Sequence, residues 1–165
     1  AFWSALDDLM DMDQVLTELA AEALLPTYDN FSNGSWNFYY YDHPRFGFQV
    51  LPWDLDDCMA ASLTSPVASV YDFRGHDPTN PNKLRRLINA NPAWLARFES
   101  EVIRLRDGAY AELPEMAASH CSQVRPAFEA DPFRSFEPDA FEADCASFGE
   151  FVSVRTAYLR EVLGR

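Results

Sequence analysis

The stretch "NFYYYDHPRFGFQVLPWDLDD", residues 37–57, constrains this chain more than any other. Its runs "NFYYY" and "FGFQVL" are rich in aromatic and β-favouring residues, and the intervening "DHPR" predicts a turn of about four to six residues, the length that closes a hairpin. Pro52 cannot donate to a ladder, so pairing should stop there. The run then ends on Trp53 and the acids Asp54, Asp56 and Asp57. Because hairpin strands are antiparallel, Asn37, which enters the first strand, falls at the same edge as Asp54 and Asp56, which leave the second. Asp29 lies within loop reach of that edge. If residues 54–56 stay extended, alternation places Asp54 and Asp56 on one face and Leu55 on the other. Such a gathering of oxygens suits a hard cation: Mg²⁺ takes one or two carboxylates, keeps waters and draws its remaining ligands from phosphates.

Each of these residues also has a plainer reading. Asp54, Asp56 or Asp57 can cap a helix around "DDCMAASL", and Asp29 with Asn30 can form an Asx-turn. Trp53 and the hairpin tyrosines are expected to pack into the core. His43, His76 and His120 share no ligand spacing, and no GxSxG elbow or Cys–His pair suggests a hydrolase.

Helical periodicity surrounds the hairpin. From Asp11 or Asp13 as cap, Val15, Leu16, Leu19, Ala20, Ala23 and Leu24 form a buried stripe that Pro26 terminates. The segment "TYDNFSNGSW", 27–36, has the composition of a structured loop. Residues 59–76 have no clean period, and "HDPTNPNK" marks a boundary. Helices are then predicted at 82–90, at 92–108 with Leu95, Phe98, Val102 and Leu105 inward, from Pro114 to Phe128, and from Pro138 to Leu163. In the last, Phe141, Cys145, Phe148, Val152, Tyr158 and Leu159 are the inward positions. The arginines of "KLRR" and "RLRDG" read as solvent-facing.

A length of 165 residues predicts one core. Thirteen basic against 26 acidic residues leave a net charge of −13, which argues against nucleic acid and anionic membrane surfaces as partners. No apolar run reaches the roughly 18 residues of a membrane span. Cys58, Cys121 and Cys145 lack CxxC spacing; Cys121 and Cys145 are candidates for a disulfide. The opening "AFWSALDD" has neither an initiator Met nor a signal-peptide layout, and reads as part of something longer.

The order of an Asp- and Asn-containing loop, a hairpin and an Asp is that of a protein-kinase catalytic lobe, without the HRD and DFG letters. The letters themselves resemble the spore-coat CotH kinase family, whose members carry an Asp-containing loop, an "N-aromatic-aromatic" strand and a strand ending in "PWDLD" or close variants. Here these stand as Asp29, "NFYYY" and "LPWDLD", and the specific part covers residues 12–57. "NKLRRLINANPAWLARFESEVIRL" and "FVSVRTAYLREVL" resemble the family's downstream helices.

The resemblance implies an α+β fold, mostly helical, equivalent to the C-lobe of such a kinase over residues 1–165. It implies Asp29 as catalytic base and Asp54 as principal ligand of Mg²⁺ or Mn²⁺, with ATP as donor and Ser or Thr of a protein as acceptor. Asn37 is the candidate loop ligand, with Asn30 and Asn33 as alternatives; Asp56 assists the metal or bonds backbone amides. The sequence departs from the pattern in two ways. Asp29 and Asn37 are eight apart, against about five in HRDxxxxN, with Trp36 where members often have Lys. Nor does any glycine-rich loop or strand lysine grip ATP, so the nucleotide-binding lobe is expected to lie outside these residues and the chain alone to be weakly active. A non-catalytic coat or cell-surface binding module, and a structural cation-binding domain, are the competing expectations. The family resemblance tilts location toward export, the cell surface or a coat.

Overall fold

Asp11 sets the first clear boundary: its side chain accepts a bond from the Gln14 amide 3.2 Å away and caps a helix. In a computed structural model that describes residues 2–27, 29–32, 36–59, 64–71 and 82–164, this helix is α2 (Met12–Leu24), preceded by α1 (Phe2–Leu9). The hairpin strands β1 (Phe38–His43) and β2 (Gly47–Pro52) follow, then α3 (Lys83–Ala90), α4 (Pro92–Asp107), α5 (Ala109–Ala130) and α6 (Pro138–Leu163). The described residues are thus α+β and mostly helical, with a two-stranded antiparallel sheet. Against the single core that length alone predicts, the chain divides into two compact units, 1–105 and 106–165.

The first unit is organised by α2. Val15, Leu16, Leu19, Ala20 and Leu24 are all buried, as their spacing predicts. The strands pair from Phe38↔Pro52 to His43↔Gly47, so β1 runs two residues further than "NFYYY" and the turn shortens to residues 44–46. Gly47 is required twice over. Its φ of 77° lies in the left-handed region, and a Cβ there would sit 2.5 Å from the Leu9 carbonyl oxygen. The outer edge of β2 is sealed by side chains and by the chain leading into α2. The Asp11 amide donates to Phe48 O (3.0 Å), while the Gln14 side chain both donates to Val50 O (2.7 Å) and accepts from Val50 N (2.9 Å). This mimics a strand partner and satisfies an edge that otherwise invites foreign pairing.

One face of the hairpin, bearing Phe38, Tyr40 and Phe48, gathers Phe31 into a ring cluster. The opposite face bears Tyr39 and Tyr41 and is open. Trp53 is 57% exposed and meets Tyr39 edge-on, and Tyr39, Tyr40 and Tyr41 are all exposed, which corrects the expectation of core packing. Among the described residues, the helices packed on the hairpin are chiefly α1 and α2, and both meet it through β2. α1 was also not expected from the sequence: it buries no residue fully, and Trp3 holds it by packing on Trp94 at 5.5 Å.

α3 and α4 bury Ile88, Trp94, Phe98 and Val102. Asn91 accepts from the Ala93 and Trp94 amides, capping α4 ahead of Pro92. Arg85 corrects the reading of "KLRR" as a solvent face. It is buried, lies 3.6 Å from the Phe98 ring centroid and donates to Val70 O. Arg106, in the "RLRDG" run, is buried too and paired with Asp107.

The second unit is an antiparallel pair of long helices. α5 begins at Ala109, five residues before the expected start, so Pro114 sits inside the helix together with Pro126. The Pro114 ring is accommodated opposite Gly149, where an added Cβ would still be 4.0 Å from it. The Cys121–Cys145 disulfide staples α5 to α6, and Phe128 stacks on Phe141 at 4.7 Å nearer the connecting loop. Tyr110, Phe151, Val152 and Leu159 are buried. No helix of the described residues is long and apolar enough to cross a membrane.

Candidate functional site

The loop leaving α2 turns back on itself before entering β1. Asp29, half-buried, accepts two bonds: from the Thr27 hydroxyl at 2.9 Å and from the Asn37 Nδ2 at 3.0 Å. With its Nδ2 committed to Asp29, Asn37 keeps its side-chain carbonyl oxygen as a potential ligand atom. Asn37 adopts a left-handed φ of 52°, and its backbone carbonyl accepts from Trp53 N at 2.9 Å, closing the base of the hairpin.

Asp54 follows that closure, itself at φ 56°. A left-handed aspartate is uncommon and costs about 1 kcal/mol or more. The expectation that residues 54–56 stay extended is therefore corrected: the chain kinks at Asp54 and enters a turn in which Cys58 N donates to Leu55 O at 3.1 Å. The two acids still meet. Repulsion from Asp56 raises the Asp54 carboxyl above its ordinary range; partial desolvation, the charges of Asp29 and Asp57, and a hydrogen bond with Asp56 add to the effect. Residues 56–59 form a turn, and 60–63 of the expected capped helix "DDCMAASL" lie outside the described residues.

Asp29, Asn37, Asp54 and Asp56 thus come to one end of the hairpin: Asp29 bonds Asn37, and Asp54 feels both Asp29 and Asp56. Of the alternative loop ligands, Asn30 is buried with its Oδ1 accepting from the Ser32 hydroxyl at 3.1 Å, and Asn33 lies outside the described residues. Among the described residues, no three His, Cys, Asp or Glu side chains form a metal-binding group by themselves. His43 accepts from the Arg45 and Phe46 amides and shapes the hairpin turn; His120 is an exposed position of α5, and His76 lies outside the described residues.

Beneath the loop lie residues that sequence reasoning missed. Glu22, 6% exposed, receives the Phe31 amide on Oε1 and the Ser32 amide on Oε2, each at 2.9 Å. Burial pushes its carboxyl up to about 7, aided by Glu18 and opposed by the bonds from Ser32 and Phe31. Glu18, one turn earlier, is pushed up to about 7 by burial. Asn82 caps α3 by accepting from Arg85 N at 3.0 Å and donates its Nδ2 to Phe31 O at 2.5 Å. The signal was present in α2: Glu18 and Glu22 interrupt the same helical face as Val15 and Leu19.

The structure therefore defines a helical α+β protein whose hairpin base gathers an Asp–Asn pair and a strained, carboxylate-rich turn. The chain belongs to the CotH kinase family: residues 1–159 match the family described as CotH kinase protein. No curated protein matches it.

Proposed function

We propose that residues 1–165 are the C-lobe of an atypical protein kinase, in which metal-dependent phosphoryl transfer runs from ATP to Ser or Thr of a protein. Asp29 is the base, Asp54 the principal metal ligand, and Asn37 and Asp56 complete the protein's share of the coordination sphere. The observation that carries this reading is the Asn37–Asp29 bond set beside Asp54, whose carboxyl is raised by its acidic neighbours. A cluster of like charge without a neutralising side chain among its perturbing neighbours favours a divalent cation. A site with few carboxylates fits Mg²⁺ or Mn²⁺, which fill their remaining positions with water and phosphate oxygens; when bound, the metal would offset phosphate charge during transfer.

Asp29 has the chemistry of a base. Thr27 and Asn37 donate to its two oxygens and fix its orientation. In this role it accepts the proton of a substrate hydroxyl. Asn37 has two tasks, orienting Asp29 through Nδ2 and presenting Oδ1. Grip on the ATP phosphates belongs to a lobe that the motifs of this chain do not supply, so activity is expected of the protein that carries both. The family's coat association suggests an exported or surface location.

In the intact protein, Asp29→Ala and Asp54→Ala should each abolish Mg²⁺- or Mn²⁺-dependent autophosphorylation. Unchanged labelling in both contradicts the assignments. The raised Asp54 carboxyl also accommodates a purely structural cation site. A gain in thermal stability from Ca²⁺ alone, without nucleotide and without any phosphoryl transfer, selects that reading instead.

A further inference from the structure

We infer that Glu22 and Asn82 are positioning residues that grip the backbone of Phe31 and Ser32, two and three residues beyond Asp29, and thereby set where Asp29 points; this rests on Asp29 acting at the reacting centre. Glu22 reaches from α2 to the Phe31 and Ser32 amides, and Asn82 reaches from the start of α3 to the Phe31 carbonyl. Three consecutive loop polar groups are thus held by side chains of flanking helices. The Phe31 ring is seated against Phe38 at 4.7 Å, so the same short segment also touches β1.

The choice of residue is otherwise unexplained. Position 22 lies on the buried face of α2, where a leucine would pack without the penalty of burying a carboxylate. The nearby charges do not account for it either: Glu18 repels Glu22, and the Arg85 guanidinium attracts it but is directed at Val70 O and the Phe98 ring. What a carboxylate does that leucine cannot is accept two adjacent amides and fix the plane of the peptide between them. Asn82 likewise does more than cap α3. A serine or aspartate would cap as well, but an ionised aspartate has no donor and the shorter serine hydroxyl lacks the reach of the Asn82 Nδ2 to Phe31 O. Both helices are rigid supports, so the loop inherits their precision rather than its own.

The test uses the intact protein with Glu22→Gln and Asn82→Ser, the latter keeping a capping oxygen for α3 while losing the reach to Phe31. Amide hydrogen exchange reads the grip independently of activity. The Phe31 and Ser32 amides should exchange slowly in the parent and about tenfold faster or more in Glu22→Gln, with the amides around Phe98 and Val102 unchanged. Kinetics read the consequence: kcat falls about tenfold or more in either variant, while KM for ATP stays within about twofold. Unprotected Phe31 and Ser32 amides in the parent overturn the inference. So does a kcat within about twofold of the parent in both variants while Asp29→Ala abolishes labelling. If Asp29→Ala leaves labelling intact, the kinase reading fails by itself, and exchange alone decides the grip. If Glu22→Gln does not fold, Asn82→Ser and the parent's exchange decide.

Discussion

At the scale of single residues, the site is held in an uncomfortable state by its own charges. Asp54 combines a left-handed backbone with repulsion from Asp56, Asp29 and Asp57. Asp54→Asn should therefore raise the melting temperature of the metal-free protein slightly while weakening Mn²⁺ binding; a fall in melting temperature would show that the carboxylate is structurally required. Glu18 and Glu22 are buried carboxyls, an arrangement that costs stability when they ionise. Both are raised from 4.5 to about 7, so the folded state holds their protons more tightly than the unfolded chain does. Their contribution is fully present below about pH 4.5 and is lost as pH rises through about 7. Urea denaturation at pH 5 and pH 8 should show lower stability at pH 8, by a few kcal/mol at most for so closely coupled a pair. Glu18→Gln should flatten that slope, and an unaltered slope would place the titration elsewhere. These residues were the least legible in the sequence. A glutamate in a helix reads as solvated, and nothing local reveals that amides nine and ten positions away will meet it. Arg85 was misread for the same reason, since its acceptor at Val70 and its aromatic partner Phe98 come from other segments.

At the scale of elements, periodicity was a sound guide wherever one face is buried by many apolar residues. α2 and α4 show this, while α3 is bounded by its Asn82 cap and α6 opens on Pro138. It failed where an element rests on few contacts, as with α1, or where a proline is tolerated inside a helix, as with Pro114. The hairpin was legible from its aromatic runs, but its exposed face was not, because alternation cannot say whether anything will cover the second side. Gly47→Ala tests how tightly the hairpin is seated on the α1–α2 junction. Strain at positive φ and contact with the Leu9 carbonyl should cost at least about 1–3 kcal/mol, measured by chemical denaturation, and a neutral result would mean that the turn relaxes away from Leu9. In the second unit, the disulfide closes a separation of 24 residues. Replacing both Cys121 and Cys145 with Ser should cost roughly 3 kcal/mol in the helical pair, and no change under reducing and non-reducing conditions would deny the staple an energetic role.

At the scale of the whole molecule, CotH family membership and the geometry at the hairpin base bear on one another without being the same observation. The family match spans residues 1–159, whereas the residues proposed for the chemistry fall between Asp29 and Asp56, within the first compact unit. The acidic balance of the chain, at −13, adds a background field that attracts divalent cations but does not choose where they bind. The local arrangement must make that choice. Mn²⁺ titrated into the ¹⁵N-labelled protein, with paramagnetic broadening followed residue by residue, tests it most directly. The site proposed here predicts that the Asn37 side-chain amide and the Asp54 and Asp56 backbone amides broaden first, and that Asp54→Ala removes the effect; broadening spread over the acids of α5 and α6, or confined to residues remote from Asn37, would contradict it.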